Sequence, residues 1–471
     1  MAVACGPCCT SMISEHGKVW VYGANLHGNM GSGDLEDRMT DPVCIDATEV
    51  FGDDSAVVML SVASLRSACV TDKGVIVTWG GGVGSRCSLG LGDREVQLRP
   101  VKVCMQIFNG CKVVMVACGD FHTLALTMHG SVFSCGRGRN AQLGLGDQND
   151  RLFFTRVPQE LLYGLHIAMV AAGGKHSMAV DTRGQAMQWG SAHPPGVPNL
   201  PAMVNPPHML VPQLILGQEE VLRDYAVVLV STGKQHRALV TKDGTLWTLG
   251  KNGHGELGMG DLVDRAVPMQ VSSVGLWGSS PVHTAACGPA YTLIVTKNGQ
   301  LWACGRGRYG VLALGNENDH LLPVKVGESE FNREKIISVA ASTYHAAVVT
   351  QSGTVFIWGA VDVRTQPVQQ TMPFSMQMPL ESQHRAGRWH AILPQFSIAF
   401  AMGLHHRLGS SDNCVCACIN NELLKLIVTA TRPVLLIRPA QYPGLQRLVS
   451  PEFETWDGIL DIIYYMDAIS L

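Results

Sequence analysis

The first residues that could do chemistry form a short run near the N-terminus, Cys5-Gly6-Pro7-Cys8. Two cysteines separated by two residues form the C-x-x-C pattern with which thioredoxin-like enzymes transfer electrons. That chemistry requires the first cysteine at a helix N-terminus, where the helix dipole lowers its pKa. The interpretation therefore depends on whether a helix or a strand follows Cys8.

Three further sets of side chains could form sites of other kinds. Recurrent histidines could bind a metal ion: His122, His176, His236 and His345. Aspartates that each follow a glycine could act as acids or bases: Asp34, Asp93, Asp147 and Asp261. Arginine pairs in glycine-rich segments could bind anions: Arg137 with Arg139, and Arg306 with Arg308. What each set can do depends on the elements that position it.

Those elements are copies of one pattern, represented by VACGDFHTLALTMHGSVFSCG at residues 116–136. The pattern returns without a gap at residues 3–23, 170–190, 230–250, 285–305 and 339–359, and less closely at 60–80. Its turn glycines lie 54 to 60 residues apart: Gly17, Gly74, Gly130, Gly184, Gly244, Gly299 and Gly353. Self-similarity at this period predicts a repeat fold.

Each copy has the signals of short β-strands. HTLALT and SVFSCG are apolar and alternating, and they are joined by Met-His-Gly or, in other copies, by Asp-Gly or Asn-Gly, which favour tight hairpins. No copy contains ten residues at helical spacing. We therefore predict an all-β fold, a seven-bladed β-propeller of four-stranded antiparallel blades, because small sheets of this kind must stack to bury their faces.

The repeat also answers the question raised by the cysteine run. Cys5 occupies the position of Cys118 and Cys287 in other copies, so a strand is predicted after Cys8. The redox interpretation is therefore disfavoured. Cysteine at the equivalent positions is interpreted as a small buried apolar residue.

The histidines and aspartates are predicted to be structural. Metal ligands must converge to about 2.1 Å from one ion, and equivalent positions on separate blades should lie too far apart for that. We expect each imidazole to bond backbone within its own blade or to the next blade. An aspartate in a turn can accept hydrogen bonds from nearby backbone N–H groups. The sequence thus predicts no metal, no cofactor and no catalytic residue.

The two arginine pairs follow a strand and should lie near one rim of the propeller. Guanidinium groups there could bind carboxylates or phosphates of a partner protein. The alternative interpretation is solvated surface charge. A dinucleotide site is not expected, because its glycine loop needs a strand-to-helix context that the repeats lack.

Composition narrows the class of protein further. The chain has 471 residues, 46% of them apolar, with 35 basic and 38 acidic side chains and a net charge of −3. The sequence contains no run of basic residues, so direct nucleic-acid binding is not expected. No apolar stretch reaches the ~18 residues of a transmembrane helix. An odd number of cysteines, 15 in all, without a secretory signal favours the cytoplasm or nucleus.

The repeat unit resembles that of the regulator of chromosome condensation family. The resemblance lies in G-x-x-H-[ST], in x-G-x-[VL]-[FW]-x-x-G, and in an L-G-x-G-D block that copies four and seven lack; it spans residues 3–360. It implies a seven-bladed propeller. The family includes a chromatin-bound exchange factor for the GTPase Ran, propellers that hold partner proteins, and a plant ultraviolet photoreceptor. Because the given sequence begins close to its first predicted strand, we do not expect a counterpart of the basic N-terminal arm of the chromatin-bound member.

The last hundred residues depart from the repeat. Residues 396–409 resemble the first strand again and could close the ring in competition with the N-terminus. Residues 410–471 have helical spacing of apolar side chains, so we expect a propeller over 1–409 and a small helical tail over 410–471. The tail could pack on the propeller or engage a partner.

Together these features predict a non-enzymatic scaffold that binds partner proteins as a monomeric propeller. The resemblance implies two alternatives. One is a guanine-nucleotide exchange factor whose partner is a Ran-like small GTPase, and the other is a chromatin-associated factor. No exchange residues can be placed on this sequence.

Overall fold

The hairpin at the centre of each repeat sets the geometry of the fold. In the third repeat the turn ends at Gly130, whose φ of +74° lies in the left-handed region that glycine adopts without steric cost. The strands on either side pair antiparallel, with His122 opposite Gly136. Equivalent hairpins form in the other six repeats, so the predicted strands are confirmed.

The computed structural model describes residues 1–25, 27–45, 55–81, 89–191, 209–215, 225–278, 280–360 and 369–376. The predicted tail at 410–471 and the additional strand at 396–409 lie outside these residues.

The described strands form seven sheets, each of four consecutive antiparallel strands. We number these sheets as blades one to seven in chain order. Blade one comprises β1 (Ala2–Cys5), β2 (Cys9–Ile13), β3 (Val19–Gly23) and β4 (Arg38–Cys44). Blade two comprises β5 (Val57–Val62), β6 (Arg66–Thr71), β7 (Ile76–Gly80) and β8 (Gln97–Lys102). Blade three comprises β9 (Val113–Cys118), β10 (His122–Thr127), β11 (Val132–Gly136) and β12 (Arg151–Arg156).

The remaining blades follow the same order. Blade four comprises β13 (Ile167–Ala172), β14 (His176–Asp181), β15 (Ala186–Gly190) and β16 (Met209–Leu214). Blade five comprises β17 (Val227–Thr232), β18 (His236–Thr241), β19 (Leu246–Gly250) and β20 (Arg265–Gln270). Blade six comprises β21 (Val282–Cys287), β22 (Tyr291–Thr296), β23 (Leu301–Gly305) and β24 (His320–Lys325). Blade seven comprises β25 (Ile336–Ala341), β26 (His345–Thr350), β27 (Val355–Ala360) and β28 (Gln369–Met376).

Short 3₁₀ turns complete the described secondary structure: Met105–Phe108, Gln159–Leu162, Arg308–Gly310 and Glu328–Phe331. The predicted all-β, seven-bladed propeller is therefore confirmed.

The hydrophobic core lies between neighbouring blades. The second strand of the third blade, for example, is buried along its whole length, because both of its faces are covered by adjacent sheets. The ring closes in the same way, with Met12 of blade one packed in one apolar cluster with Ala347 and Ile357 of blade seven. Thr10 and His345 add a side-chain hydrogen bond of 2.8 Å across this junction. In the described residues, every blade is built from strands that are consecutive in the chain.

The L-G-x-G-D block joins each blade that carries it to the next blade. The backbone N–H of its second glycine donates to a carbonyl of the next blade's outer strand. The pairs are Gly33–Leu98 at 2.9 Å, Gly92–Leu152 at 3.2 Å, Gly146–Leu210 at 3.0 Å and Gly260–Leu321 at 2.9 Å. The block is thus a backbone connection between blades, which explains its recurrence in the sequence.

Buried tryptophans tie the same loops to the next blade. Their indole N–H groups donate to a loop carbonyl of the preceding blade. The pairs are Trp79–Asn29 at 2.9 Å, Trp189–Gln142 at 2.8 Å and Trp358–Val311 at 2.8 Å. The loop therefore has to lie against the indole ring, which restricts the residues that it can contain.

We expect Gly144→Ala to lower the free energy of unfolding by about 3 kcal/mol. Gly144 has a φ of +70°, and an added Cβ would lie 2.8 Å from Nε1 of Trp189. Gly164 is the matched control, since it has the same φ of +70° but no atom within 4 Å of an added Cβ. Gly164→Ala should therefore cost only about 1 kcal/mol, from backbone strain alone. Urea unfolding measures both, and equal losses would contradict the contact with the indole.

Candidate functional site

One face of the propeller carries the loops that could meet a partner. Because the strands of a blade alternate in direction, the turn between strands one and two and the long loop between strands three and four lie at the same end of each blade. We call this end the loop face, the turn between strands one and two the first turn, and the loop between strands three and four the long loop. The opposite end, with the tight turn between strands two and three, is the hairpin face.

The first turns surround a cavity of about 270 Å³ on the propeller axis, here called the central cavity. One repeat position contributes a lining residue from every blade: Pro7, Ser64, Asp120, Gly174, Lys234, Pro289 and Thr343. The Ser64 hydroxyl donates to the Asp120 carboxylate at 3.1 Å, whereas Lys234 is exposed. The cavity wall is therefore chemically different on each side of the axis.

A second recess of about 280 Å³ lies beside the central cavity where blades seven, one and two meet. We call it the seam recess. Pro7 and Cys8 form part of its wall from the first turn of blade one, and Tyr344 contributes from the first turn of blade seven. His27 and Leu65 also line it. This recess could not be predicted from the sequence, because residues 343–344 of blade seven, far away in the chain, complete it.

The cysteine run lies in the first turn of blade one. Strand β2 begins at Cys9, so no helix dipole acts on the thiols, and the predicted strand is confirmed. Burial raises the pKa of Cys5 to about 12 and also raises the pKa of Cys9. Both side chains are therefore protonated thiols at neutral pH, and neither is an activated nucleophile.

Three of the four histidines, His122, His236 and His345, bridge neighbouring blades, whereas Nε2 of buried His176 has no hydrogen-bond partner among the described residues. His122 and Ser177 form a 2.7 Å hydrogen bond, and His236 and Thr292 form one of 2.9 Å. The Ser177 hydroxyl donates onward to the carbonyl of Gln142 at 2.8 Å. The hydroxyl must therefore accept from the imidazole, which places the proton of His122 on Nε2. The partner of each of these imidazole nitrogens is a hydroxyl of the next blade.

Burial keeps these imidazoles neutral. It lowers the pKa of His122 and of His236 to about 3, and the neighbouring guanidinium groups of Arg66 and Arg237 respectively lower it further. Burial also lowers the pKa of His345 to about 4. A proton on any of them would be a buried charge without a carboxylate beside it in the described part of the chain.

Three blades use other residues at the histidine position, namely Cys9, Arg66 and Tyr291, and the last two contact the next blade. Arg66 donates from Nη2 to the carbonyls of Gly119 and His122 at 3.0 and 2.9 Å. The Tyr291 hydroxyl donates to the carbonyl of Ser342 at 2.9 Å. Both side chains thus reach the next blade as the histidines do, although their chemistry differs.

The aspartates of the L-G-x-G-D block organise the long loops. Asp93 accepts from the backbone N–H of Glu95 at 3.1 Å, and Asp34 accepts from that of Glu36 at 3.0 Å. Asp147 accepts from the Asn149 N–H at 2.9 Å. These carboxylates therefore hold the turn that follows each of them.

Asp261 shows what the local charges do to such a carboxyl group. The N–H of Val263 and the guanidinium of Arg265, 2.6 Å away, hold the pKa of Asp261 below its usual value. This carboxylate is ionised at neutral pH and is committed to its own loop. It is therefore not available as a proton donor.

A second set of loop aspartates was not predicted from the sequence. Each lies three residues after an aspartate of the first set, or after Asn316 in blade six, and accepts from a backbone N–H at the start of the loop. The pairs are Asp37 with Asn25 at 2.7 Å, Asp150 with Gly138 at 3.0 Å, Asp264 with Asn252 at 2.9 Å and Asp319 with Gly307 at 2.9 Å. The repeated D-x-x-D or N-x-x-D spacing in the aligned copies was the signal that could have revealed them.

The structure places both arginine pairs in long loops, but it does not bring them together. Arg137 and Arg139 belong to blade three, and Arg306 and Arg308 belong to blade six, three blades further round the ring. The guanidinium of Arg137 lies 5.3 Å from the ring centroid of Phe121. The two pairs therefore cannot form a single anion site.

The described residues present binding surfaces without a convergent catalytic arrangement. In the described ranges, no three His, Cys, Asp or Glu side chains come close enough to hold a metal ion. None of the helices in the described part of the chain has the length and apolarity needed to cross a lipid bilayer. The arrangement defines a class of protein: a rigid propeller that displays unequal loops round its axis.

Comparison with known families identifies which propeller this is. The family described as regulator of chromosome condensation (RCC1) repeat matches residues 73–126, 129–180, 243–295 and 298–349. A second description of the same repeat matches residues 113–142. The chain therefore belongs to the RCC1 repeat family, and the resemblance seen in its sequence is confirmed.

Two characterised relatives show how varied the members of this family are. The ultraviolet-B receptor UVR8 of Arabidopsis thaliana is 31% identical over 314 residues, which cover 66% of this chain and 67% of the receptor. The probable E3 ubiquitin-protein ligase HERC6 of Homo sapiens is 32% identical over 307 residues. That match covers 63% of this chain but only 27% of HERC6.

Solved structures share the fold. Human WBSCR16 superposes with a TM-score of 0.63 at 25% identity, covering 74% of this chain and 85% of that one. Prp20p of Saccharomyces cerevisiae, described together with its binding to Gsp1p and histones, superposes with a TM-score of 0.65 at 21% identity. The latter match covers 80% of this chain and 88% of Prp20p.

Proposed function

We propose that the chain is a non-catalytic scaffold of the RCC1 repeat type that binds partner proteins on its loop face. The observation that carries the proposal is a contrast between repeat positions. Four of the seven blades keep histidine at the buried first position of the second strand, and His122, His236 and His345 use it to bond the neighbouring blade. The axis-facing position of the first turn instead changes chemistry between blades, from Asp120 to Lys234. A surface with a different group on each side suits a specific partner.

The proposal is tested by affinity purification of the full chain followed by mass spectrometry. The charge reversal Lys234→Glu changes the loop face, and Lys73→Glu makes the same change in an exposed turn of the hairpin face. We expect at least one partner to be recovered by the wild type and by the Lys73 variant but lost by the Lys234 variant. The proposed scaffold function would be contradicted if the Lys234→Glu variant recovered the same partners as the wild type. It would also be contradicted if the wild type recovered no reproducible partner.

Guanine-nucleotide exchange is the alternative that the family resemblance leaves open. Exchange needs no covalent chemistry, so the lack of a convergent acid–base set in the described residues does not oppose it. Release of a fluorescent GDP analogue from a purified Ran-like GTPase distinguishes the two functions. The scaffold predicts no acceleration by the full chain, and strong acceleration would favour exchange. Retention on purified nucleosomes would in turn favour a chromatin role.

A further inference from the structure

One cluster on the loop face places an arginine over a tyrosine, which in turn contacts a second tyrosine. The guanidinium of Arg308 lies 4.7 Å from the ring centroid of Tyr309. Tyr309 in turn meets the ring of Tyr344 edge-on at 5.3 Å. Arg308 is exposed, and both tyrosines are half-buried. Within the described ranges no carboxylate forms an ion pair with Arg308, so its N–H groups are available to a ligand.

The backbone holds this cluster in an unusual conformation. Tyr309 has φ 67° and ψ 10°, a left-handed conformation that is uncommon for a bulky side chain and costs energy. His27, Asn140 and His254 occupy the same repeat position in other blades, and none of them has a positive φ. Among the four blades whose loops are described at this position, the strain therefore occurs in blade six, where it places the ring between Arg308 and Tyr344.

The stack ends at the seam recess. Tyr344 forms one wall of that recess, and Pro7, Cys8 and Leu65 line it from blades one and two. Its volume of about 280 Å³ admits one aliphatic or aromatic side chain. A cationic group thus lies at one end of this aromatic pair, and a recess with mixed polar and apolar walls, to which Pro7 and Leu65 contribute apolar surface, lies at the other.

Two other cations of the loop face form ion pairs within the protein. Lys251 pairs with Asp264 at 2.6 Å, and Arg94 pairs with Asp150 at 3.2 Å. Arg139, the repeat equivalent of Arg308, is also exposed, but the residue that follows it is Asn140 rather than a tyrosine. The combination of an available guanidinium with an aromatic wall therefore occurs at Arg308 and not at Arg139.

We propose that the stack and the seam recess bind an acidic peptide segment of a partner protein. A carboxylate would pair with the planar fork of Arg308, and an apolar side chain would enter the recess beside Tyr344. Arginine and tyrosine are the residues that most often carry the energy of protein interfaces. This inference rests on the proposed scaffold function and assigns it a site.

The geometry also sets the spacing of the peptide. The two ring contacts separate the guanidinium from the recess, and an extended peptide advances about 3.3 Å per residue. The acidic residue should therefore lie about three positions from the apolar one. Peptides in which the two are adjacent should bind less tightly.

Fluorescence anisotropy of the full chain tests the site with a defined probe, a fluorescein-labelled peptide of sequence Gly-Glu-Asp-Gly-Ser-Leu-Gly. We expect saturable binding that Arg308→Ala weakens by about tenfold or more, because a hydrogen-bonded charge pair is lost. Arg139→Ala is the matched control and should bind as the wild type does. A peptide with lysine in place of both acids should not bind.

Alkylation of Cys8 provides a second measurement that needs no variant. The acidic peptide should slow its reaction with iodoacetamide, followed by mass spectrometry, and should leave exposed Cys104 unaffected. Equal rates at Cys8 with and without the peptide would overturn the assignment of the recess. The proposed site would also be overturned if Arg308→Ala left binding of the acidic peptide unchanged, or if the wild type did not bind the peptide at concentrations up to about 1 mM. If partners recovered by the full chain depend on Lys234 but not on Arg308, this site fails while the scaffold stands.

Discussion

Replacing Trp189 by alanine is expected to lower the free energy of unfolding by about 4 kcal/mol. The side chain is fully buried in an apolar cluster that joins blades three and four. Its indole N–H also donates to the carbonyl of Gln142 in the preceding blade. The substitution therefore leaves a large cavity between two blades and removes a bond between them. Denaturant unfolding followed by circular dichroism measures the loss.

Trp20 is the control for this experiment. It lies in the third strand of blade one but is only half-buried, so Trp20→Ala should cost about 1 to 2 kcal/mol. Trp189→Phe keeps most of the apolar volume and should fall between the two. A loss for Trp189→Ala no greater than that for Trp20→Ala would show that packing between blades is not what stabilises the ring.

Acidification is expected to destabilise the propeller steeply below pH 6.5. Burial lowers the pKa of His122 and His236 from 6.5 to about 3, and that of His345 to about 4. Between these values and 6.5 the unfolded chain binds a proton that the folded chain does not. Stability is therefore fully present above pH 6.5 and is lost as the pH falls toward 3 to 4.

The expected magnitude is large because the same position recurs. Each such histidine costs about 1.4 kcal/mol per pH unit below 6.5, so three of them cost roughly 6 kcal/mol at pH 5. That is comparable with the whole stability of a typical domain, about 5 to 15 kcal/mol. Urea midpoints measured from pH 7.5 to pH 4.5 give the slope.

A double variant isolates the histidines from other titrating groups. His122→Asn with His236→Asn removes two of the four histidine titrations at this repeat position, while an amide can still donate toward Ser177 and Thr292. We expect lower stability at pH 7.5 but a much shallower decline below pH 6.5. An unchanged decline would assign the acid sensitivity to other groups.

The blades could be predicted from the sequence because each hairpin is formed by residues that lie close together in the chain. Gly130 and its equivalents terminate strands within a few residues, and the period of about 55 residues is visible along the chain. The partner of His122 could not be predicted in the same way. It is Ser177 of the next blade, and its position depends on how two sheets pack, which no single repeat encodes.

The candidate site was harder to predict than the fold, because residues from several blades build it. The arginine pairs were visible as sequence, but only the structure shows that Arg308 stacks on Tyr309 whereas Arg137 lies over Phe121. The seam recess joins Cys8, Leu65 and Tyr344, which are far apart in the chain. A surface that forms where several blades meet cannot be recognised from the sequence pattern of any single repeat.

Hydrogen exchange of the full chain with and without a recovered partner tests the central claim most directly. If partners bind on the loop face, exchange should slow in the first turns at 6–8, 64–65, 120–121 and 343–344 and in the long loop at 306–310. The hairpin turns at 15–17, 128–130 and 242–244 should exchange as before. Protection confined to those hairpin turns would contradict the account.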